Sequence, residues 1–245
     1  MNQKRKTAII FMCLFVLTVM PATGCQGTDV ASTNGLDENT IDRNIQECEF
    51  EPDAMYELTS WQGLPFDVGD IVEFGNIYWR VLYKQDDKAL FLSENTVASQ
   101  SYAEWGAWPL TTWEESAVNL FLNEDFYNRF AGNERVRIAD TLLETDDGYT
   151  ASKLFLLSVD EVLLYLGDGS QISGVIPPPL FIDDEYNGER IAYDDFGTAS
   201  TWWLRSLNER STNAPFVMSD GIITTHGDFI NGHSRGVRPA MWIYL

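Results

Sequence analysis

Two arginines sit where arginine is costly. Arg205 closes the apolar segment Thr201-Trp202-Trp203-Leu204-Arg205, and Arg238 follows Val237 in the closing segment Val237 to Leu245. A guanidinium in an apolar strand needs carboxylates, carbonyls or an aromatic face as partners. One reading is an internal ion-pair lattice with acids such as Glu161. The other is a clamp for an anionic or hydroxylated ligand. If 237–245 is one strand, alternation puts Arg238, Ala240, Trp242 and Tyr244 on one face. A third set, Tyr102, Trp105 and Trp108, lies in a segment with Gly106 and Pro109. Loop aromatics stack on sugar rings or grip a protein partner, or they close over a core.

The acids offer a metal reading. Asp183, Glu185, Asn187, Gly188 and Asp194 fall at EF-hand offsets one, three, five, six and twelve. The twelfth ligand there is normally Glu, and Pro177-Pro178-Pro179 stands where the entering helix should be. This leaves a looser calcium site or a solvated acidic loop. Zinc is disfavoured: the histidines are His226 and His233, and no His-Glu-x-x-His occurs. A Gly-x-Ser-x-Gly elbow is missing too. Cys48 lies between Glu47 and Glu49, whose charge makes a poor nucleophile of its thiol. Carboxylates are abundant, so a glycoside-cleaving pair stays open as the alternative to binding.

These residues need elements to position them. Ile71, Val72 and Phe74, then Ile77 to Tyr83, then Ala89 to Ser93 predict a three-strand antiparallel meander. Thr112 with Glu115 predicts a capped helix carrying Trp113, Ala117, Leu120 and Phe121, ended by Leu122-Asn123. A short second helix around Phe126 and Phe130 stops near Gly132. Leu154 to Leu157 reads as a buried strand. Ser158 and Glu161 form a second capping box, with a helix running to Gly167. Residues 168–200 read as one long loop. Ser219-Asp220-Gly221 between two apolar runs predicts a hairpin. Strands, then helices, then strands indicate an α+β fold.

The 245 residues carry 16 basic and 37 acidic side chains, a formal charge of -21. Such a surface repels phosphate backbones, so nucleic acid is excluded as a partner. At the start, Lys4, Arg5 and Lys6 precede an apolar run from Thr7 to Met20 and then Pro21-Ala22-Thr23-Gly24-Cys25. This order is that of a secretory signal, and it resembles a bacterial lipobox. The resemblance implies cleavage before Cys25 and a lipid on that residue. An uncleaved anchor competes, although the run is short for the ~20 residues a bilayer needs. Ordinary cleavage nearby would leave Cys25 a free thiol. Losing residues 1–24 removes three basic residues and no acid, so 13 face 37 and the difference becomes -24. Residues 25–60 are polar and acidic without apolar periodicity, and read as a disordered tether. The globular domain spans 61–245.

Several segments resemble an uncharacterised domain family common in secreted and surface proteins of Gram-positive bacteria. They are Trp79-Arg80-Val81-Leu82, Thr112-Trp113 with Ser116 and Phe121-Leu122-Asn123, and Phe155-Leu156-Leu157-Ser158 with Glu161. Trp202-Trp203-Leu204-Arg205-Ser206 and Gly236-Val237-Arg238-Pro239-Ala240 complete the series. The resemblance covers about 61–245 and implies no activity. More distantly, the closing segments resemble the sulfatase-modifying, C-type-lectin-like group, which implies a C-type-lectin-like domain. The cysteine chemistry of that group finds no cysteines in 61–245.

The expectation is a lipid-anchored protein on the extracytoplasmic face of the cell membrane. Its domain would bind a surface glycan or protein without catalysis. Replacing Cys25 with Ala should move the protein from the membrane fraction to the soluble fraction. Retention of the cleaved chain in membranes at high salt would refute lipidation.

Overall fold

The computed structural model describes residues 66–104, 112–145, 148–170, 179–206 and 212–245. Cys25, Cys48, Trp105, Trp108 and the tether lie outside the described residues. The fold is α+β, built mainly from antiparallel strands with a few short helices.

The first sheet has four strands in the order β1-β2-β3-β14, all antiparallel. They are β1 (Ile71–Phe74), β2 (Ile77–Gln85), β3 (Lys88–Ser93) and β14 (Ala240–Tyr244). The turns explain the meander. Gly75 and Asn76 both hold positive φ, 62° and 58°, as a tight hairpin turn requires. A Cβ at Gly75 would lie 2.4 Å from the Phe130 ring, so only glycine fits there. The second sheet orders β4-β13-β10-β11-β12-β7. Its strands are β4 (Ala98–Gln100), β7 (Phe181–Ile182), β10 (Trp202–Trp203), β11 (Asn213–Val217), β12 (Ile223–Phe229) and β13 (Arg235–Val237). The pair β10–β13 is parallel. Two hairpins stand apart: β5 (Thr141–Thr145) with β6 (Gly148–Ser152), and β8 (Ala192–Tyr193) with β9 (Ala199–Ser200).

Several expectations are corrected. The first helix, α1 (Ala117–Leu120), begins at the cap Ser116, whose hydroxyl accepts from the N–H of Asn119. Thr112 caps only a turn, accepting from the Glu115 N–H at 3.4 Å. The helix does not end at Leu122-Asn123. It continues as a π-helical turn, Phe121–Phe126, and a 3-10 turn, Tyr127–Arg129. Asn123 gives the physical reason for the wide turn. Its Nδ2 donates to Leu154 O at 2.9 Å, and its Oδ1 accepts from Lys153 N and Leu154 N. One amide thus satisfies three backbone groups of a neighbouring segment, which a regular ladder would otherwise serve. Leu154 to Leu157 is fully buried yet is no full strand; a single bridge joins Phe155 to Ala240.

A short helix, α2 (Gly132–Arg135), follows the 3-10 turn. The Ser158–Glu161 capping box forms as predicted and starts α3 (Val159–Tyr165). Residues 179–200 are not one open loop: they hold β7, α4 (Asn187–Arg190), β8 and β9. The closing segment is not one strand either. Arg238-Pro239 separates β13 in the second sheet from β14 in the first.

Replacing Asn123 with Ala should lower unfolding free energy by about 2 kcal/mol or more, because two backbone donors and one acceptor lose their partner. Urea denaturation measures this. Hydrogen exchange at Leu154 should rise ahead of exchange in β3, and equal protection in both would refute the account.

Candidate binding site

The sequence-predicted residues come first. Arg205 is 9% exposed. Its Nε donates to Leu156 O, one terminal nitrogen to Glu144 O, and the other to Glu161 Oε2 at 2.8 Å. It therefore ties the β5–β6 hairpin to the N-terminus of α3. Tyr102 is fully buried; its hydroxyl donates to Arg205 O, and its ring meets Trp203 edge-on. Burial raises the Tyr102 pKa, opposed by Arg205. Arg238 is 1% exposed. Its Nε donates to Ser93 O at 2.9 Å, its Nη1 to Arg190 O at 3.2 Å, and the guanidinium lies 5.0 Å from the Trp202 ring centre. Burial pushes its pKa down to about 10, while Glu94 favours and Arg80 disfavours its charge. The expectation of a carboxylate bonded to Arg238 is thus corrected: backbone carbonyls and an indole face serve it. The face shared with Trp242 and Tyr244 is corrected as well, since Arg238 lies before β14 begins.

The calcium candidates are engaged with backbone and with one another. Asp183 Oδ1 accepts from Asn187 Nδ2, and Asn187 Oδ1 accepts from Asp184 N and Arg190 Nη1. Asp194 Oδ1 accepts from Phe196 N and Thr198 N, closing the β8–β9 turn. The side chain of Glu185 makes no bond to that set. Among the described residues, no group of three or more His, Cys, Asp or Glu side chains could hold a metal ion. His226 is on β12, its ring edge-on to Phe181. His233 is 3.0 Å from Asp228 Oδ2, which also pairs with Arg235. Burial acts to raise the Asp228 pKa. The Phe229 N–H, Arg235 and His233 outweigh it and hold the carboxyl below its ordinary value.

The exposed aromatics form a surface of their own on the first sheet. A bulge in β2 is the device that builds it. Val81 pairs with Phe91 and Tyr83 with Leu90, so Leu82 is an extra residue. Without it, alternation would turn Tyr83 onto the face of Trp79 and Val81, which is the core. With it, Tyr83 shares the face of Arg80, Leu90 and Leu92. Trp242 pairs with Leu90 from the other side. Tyr83, Leu90 and Trp242 therefore form one row across three strands. The Tyr83 and Trp242 rings are 6.2 Å apart and edge-on, and Tyr165 of α3 lies 6.2 Å beyond Tyr83. Burial pushes the Tyr165 pKa up to about 12, with Glu161 and Tyr83 adding to it. The next row, two residues on, is Gln85, Lys88 and Tyr244. Lys88 Nζ lies 4.7 Å from the centre of the Tyr244 ring. Tyr83 is 47% exposed and Tyr244 41%, while Trp242 and Tyr165 are half-buried against the core and Leu90 is buried, so solvent reaches the row at its two tyrosine edges. It is an aromatic floor with an amide and an ammonium along one side.

The chain was compared with known proteins. Residues 86–245 match the family described as a domain of unknown function, DUF6273. The chain belongs to that family. The matched stretch includes β3, both central arginines and Trp242; β1 and β2, with Trp79 to Leu82 and Tyr83, precede it. No curated protein and no solved structure matches the chain.

Sequence reasoning missed the aromatic floor. Trp242 and Tyr244 were placed together by alternation, and that signal was sound. Tyr83 was out of reach, because its direction depends on a bulge that the run Val81-Leu82-Tyr83 does not announce.

Arg238→Ala should destabilise the domain by more than ~2 kcal/mol, from the lost bonds to Ser93 O and Arg190 O, the latter keeping only its Trp202 donor, and a cavity beside Trp202. Arg238→Lys should recover only part, since a point charge cannot serve two carbonyls and a ring face together. Thermal melting in parallel with Arg205→Ala checks both. An Arg238→Ala domain that melts like the parent would remove Arg238 from the scaffold.

Proposed function

We propose that this protein is a lipid-anchored, extracytoplasmic glycan-binding module that does no catalysis. The observation that carries this reading is the row Tyr83–Trp242 with Tyr165, bordered by Gln85, Lys88 and Tyr244. A sugar ring has apolar C–H faces and a rim of hydroxyls. Aromatic rings bury the first, and amide or ammonium groups bond the second. Glycan is preferred to a protein partner on electrostatic grounds. A neutral sugar meets a chain of formal charge -21 without repulsion, whereas acidic partners are pushed away.

The anchoring part rests on the basic, apolar, small-residue order that ends at Cys25. Among the described residues, no helix is long and apolar enough to cross a membrane. The C-type-lectin-like relationship is likewise part of this proposal. It rests on the resemblance of the closing segments Trp202-Trp203-Leu204-Arg205 and Arg238-Pro239, with Arg238 stacked on Trp202 as the contact that joins them.

The test uses the full protein in detergent on an array of cell-wall and extracellular glycans. Binding should be found, and Tyr83→Ala or Trp242→Ala should weaken it at least tenfold. Tyr83→Ala should keep a melting temperature near the parent's, while Trp242→Ala, which removes a ring packed on the core, is assayed well below its own melting point. Glycan binding that ignores both substitutions would put the site elsewhere. Cleavage of an arrayed glycan would replace binding with catalysis.

A further inference from the structure

A separate shallow recess, wide open to solvent and of about 460 Å³, lies beside β4, lined by Gln100, Ser101, Ala103, Glu104, Ala117 and Asn231. That volume lies within the ~300–1,000 Å³ range of small-molecule sites. Its chemistry follows from which hydrogen-bonding groups the fold has already used. Gln100 Nε2 donates to Ala117 O at 3.1 Å, so its Oε1 is left as an acceptor. The Trp203 indole N–H donates to the backbone oxygen of Gln100, and the Ala103 N–H to Ile230 O. The nearest strand also carries a cation, Arg235, which pairs in register with Gln100. That guanidinium is already engaged. It pairs with Asp228 and stacks on Phe216 at 3.6 Å and Trp203 at 5.0 Å from the ring centres. The Gln100 amide and the Ala103 N–H are thus used as donors inside the fold, and the neighbouring positive charge is paired.

What remains is rich in acceptors. Glu104 is exposed and has no ion pair among the described residues. Gln100 Oε1 stands with it, and the Ser101 hydroxyl and Asn231 amide can bond either way. An anion would meet an unpaired carboxylate within a chain of net charge -21. A primary ammonium brings three donors for these acceptors and the positive charge that this lining lacks.

We propose that the recess binds a small polar molecule through a primary ammonium, with Glu104 as counter-charge and Gln100 Oε1 as second acceptor. An amino sugar and a short polyamine share this chemistry. The site is independent of the aromatic floor.

The test is calorimetric titration of the full protein in detergent with glucosamine and with putrescine, each against its N-acetylated form. At least one amine should bind, its acetylated form should bind at least tenfold more weakly, and affinity should fall with added salt. Which amine binds distinguishes an amino-sugar ligand from a polyamine. Glu104→Gln should weaken binding about tenfold. Its side chain is on the surface, so the melting temperature serves as the folding control. Trp242→Ala should leave amine binding unchanged, which separates failure here from failure of the glycan reading. Equal affinity for the acetylated forms, no binding of either amine at millimolar concentration, or indifference to Glu104→Gln would each overturn the proposal.

Discussion

The fold depends on how one buried guanidinium is satisfied at the point where the chain changes sheets. Arg238 and Pro239 connect β13 in the six-stranded sheet to β14 in the four-stranded sheet. Proline gives no ladder hydrogen bond, so continuous pairing is broken there by chemistry. The Pro239 carbonyl still accepts from Ser93 N at 2.9 Å. Arg238 then bonds Ser93 O at the end of β3, Arg190 O behind α4, and the face of Trp202 in β10. Arg190 O is shared, since the Trp202 indole N–H donates to it as well at 3.0 Å. A single side chain therefore bonds backbone carbonyls of the first sheet and of α4 and packs on an indole of the second sheet. A carbonyl cage of this kind requires a planar, multiply donating cation. It also explains why the guanidinium tolerates burial without a carboxylate in contact.

Arg205 repeats the solution one layer away. Its three bonds join the segment at Leu156, the hairpin at Glu144 and the helix cap at Glu161. Glu161 Oε2 accepts from Ser158 N too, so the helix cap and the arginine share one carboxylate oxygen. The Tyr102 hydroxyl then takes the backbone oxygen of Arg205. Local capping and long-range wiring are here the same interaction. A change at any member is felt at the others, which makes these energies non-additive.

How much of this was legible follows from the range of each interaction. The meander, the Ser158 cap and the Ser219-Asp220-Gly221 hairpin were readable because their signals lie within a few residues. The structural role of Arg205 beside Glu161 was readable from its cost: a charge in an apolar strand must find a partner. The bulge at Leu82, the π-helical turn at Asn123 and the break at Arg238-Pro239 were not. Each is fixed by a partner far along the chain: Leu90 and Trp242, Leu154, or Ser93 and Arg190. Thr112 misled because a capping pair gives the chemistry of a helix start without showing which of two nearby hydroxyls holds it. Ser116 won, being buried and bonded also to Trp113 O.

The interior arginines also decide what the exterior can attract. Arg137, Arg190, Arg205 and Arg238 are buried, and the Arg235 side chain is 13% exposed. Their charges are spent on carbonyls, carboxylates and rings inside the fold. The surface is therefore more negative than an even spread of the same residues would make it. Of the lysines, Lys153 pairs with Asp140, and Lys84 reaches Phe66 O and the Phe66 ring. Lys88 instead stands at the border of the aromatic floor, beside Tyr244. At that surface the acid-rich chain places Tyr244, an exposed ring, beside a cation, the combination on which the proposed glycan binding rests. At the recess by β4 the cation is withheld and a carboxylate is offered. The two surfaces thus differ in charge, and that difference originates in which basic residues the core consumes.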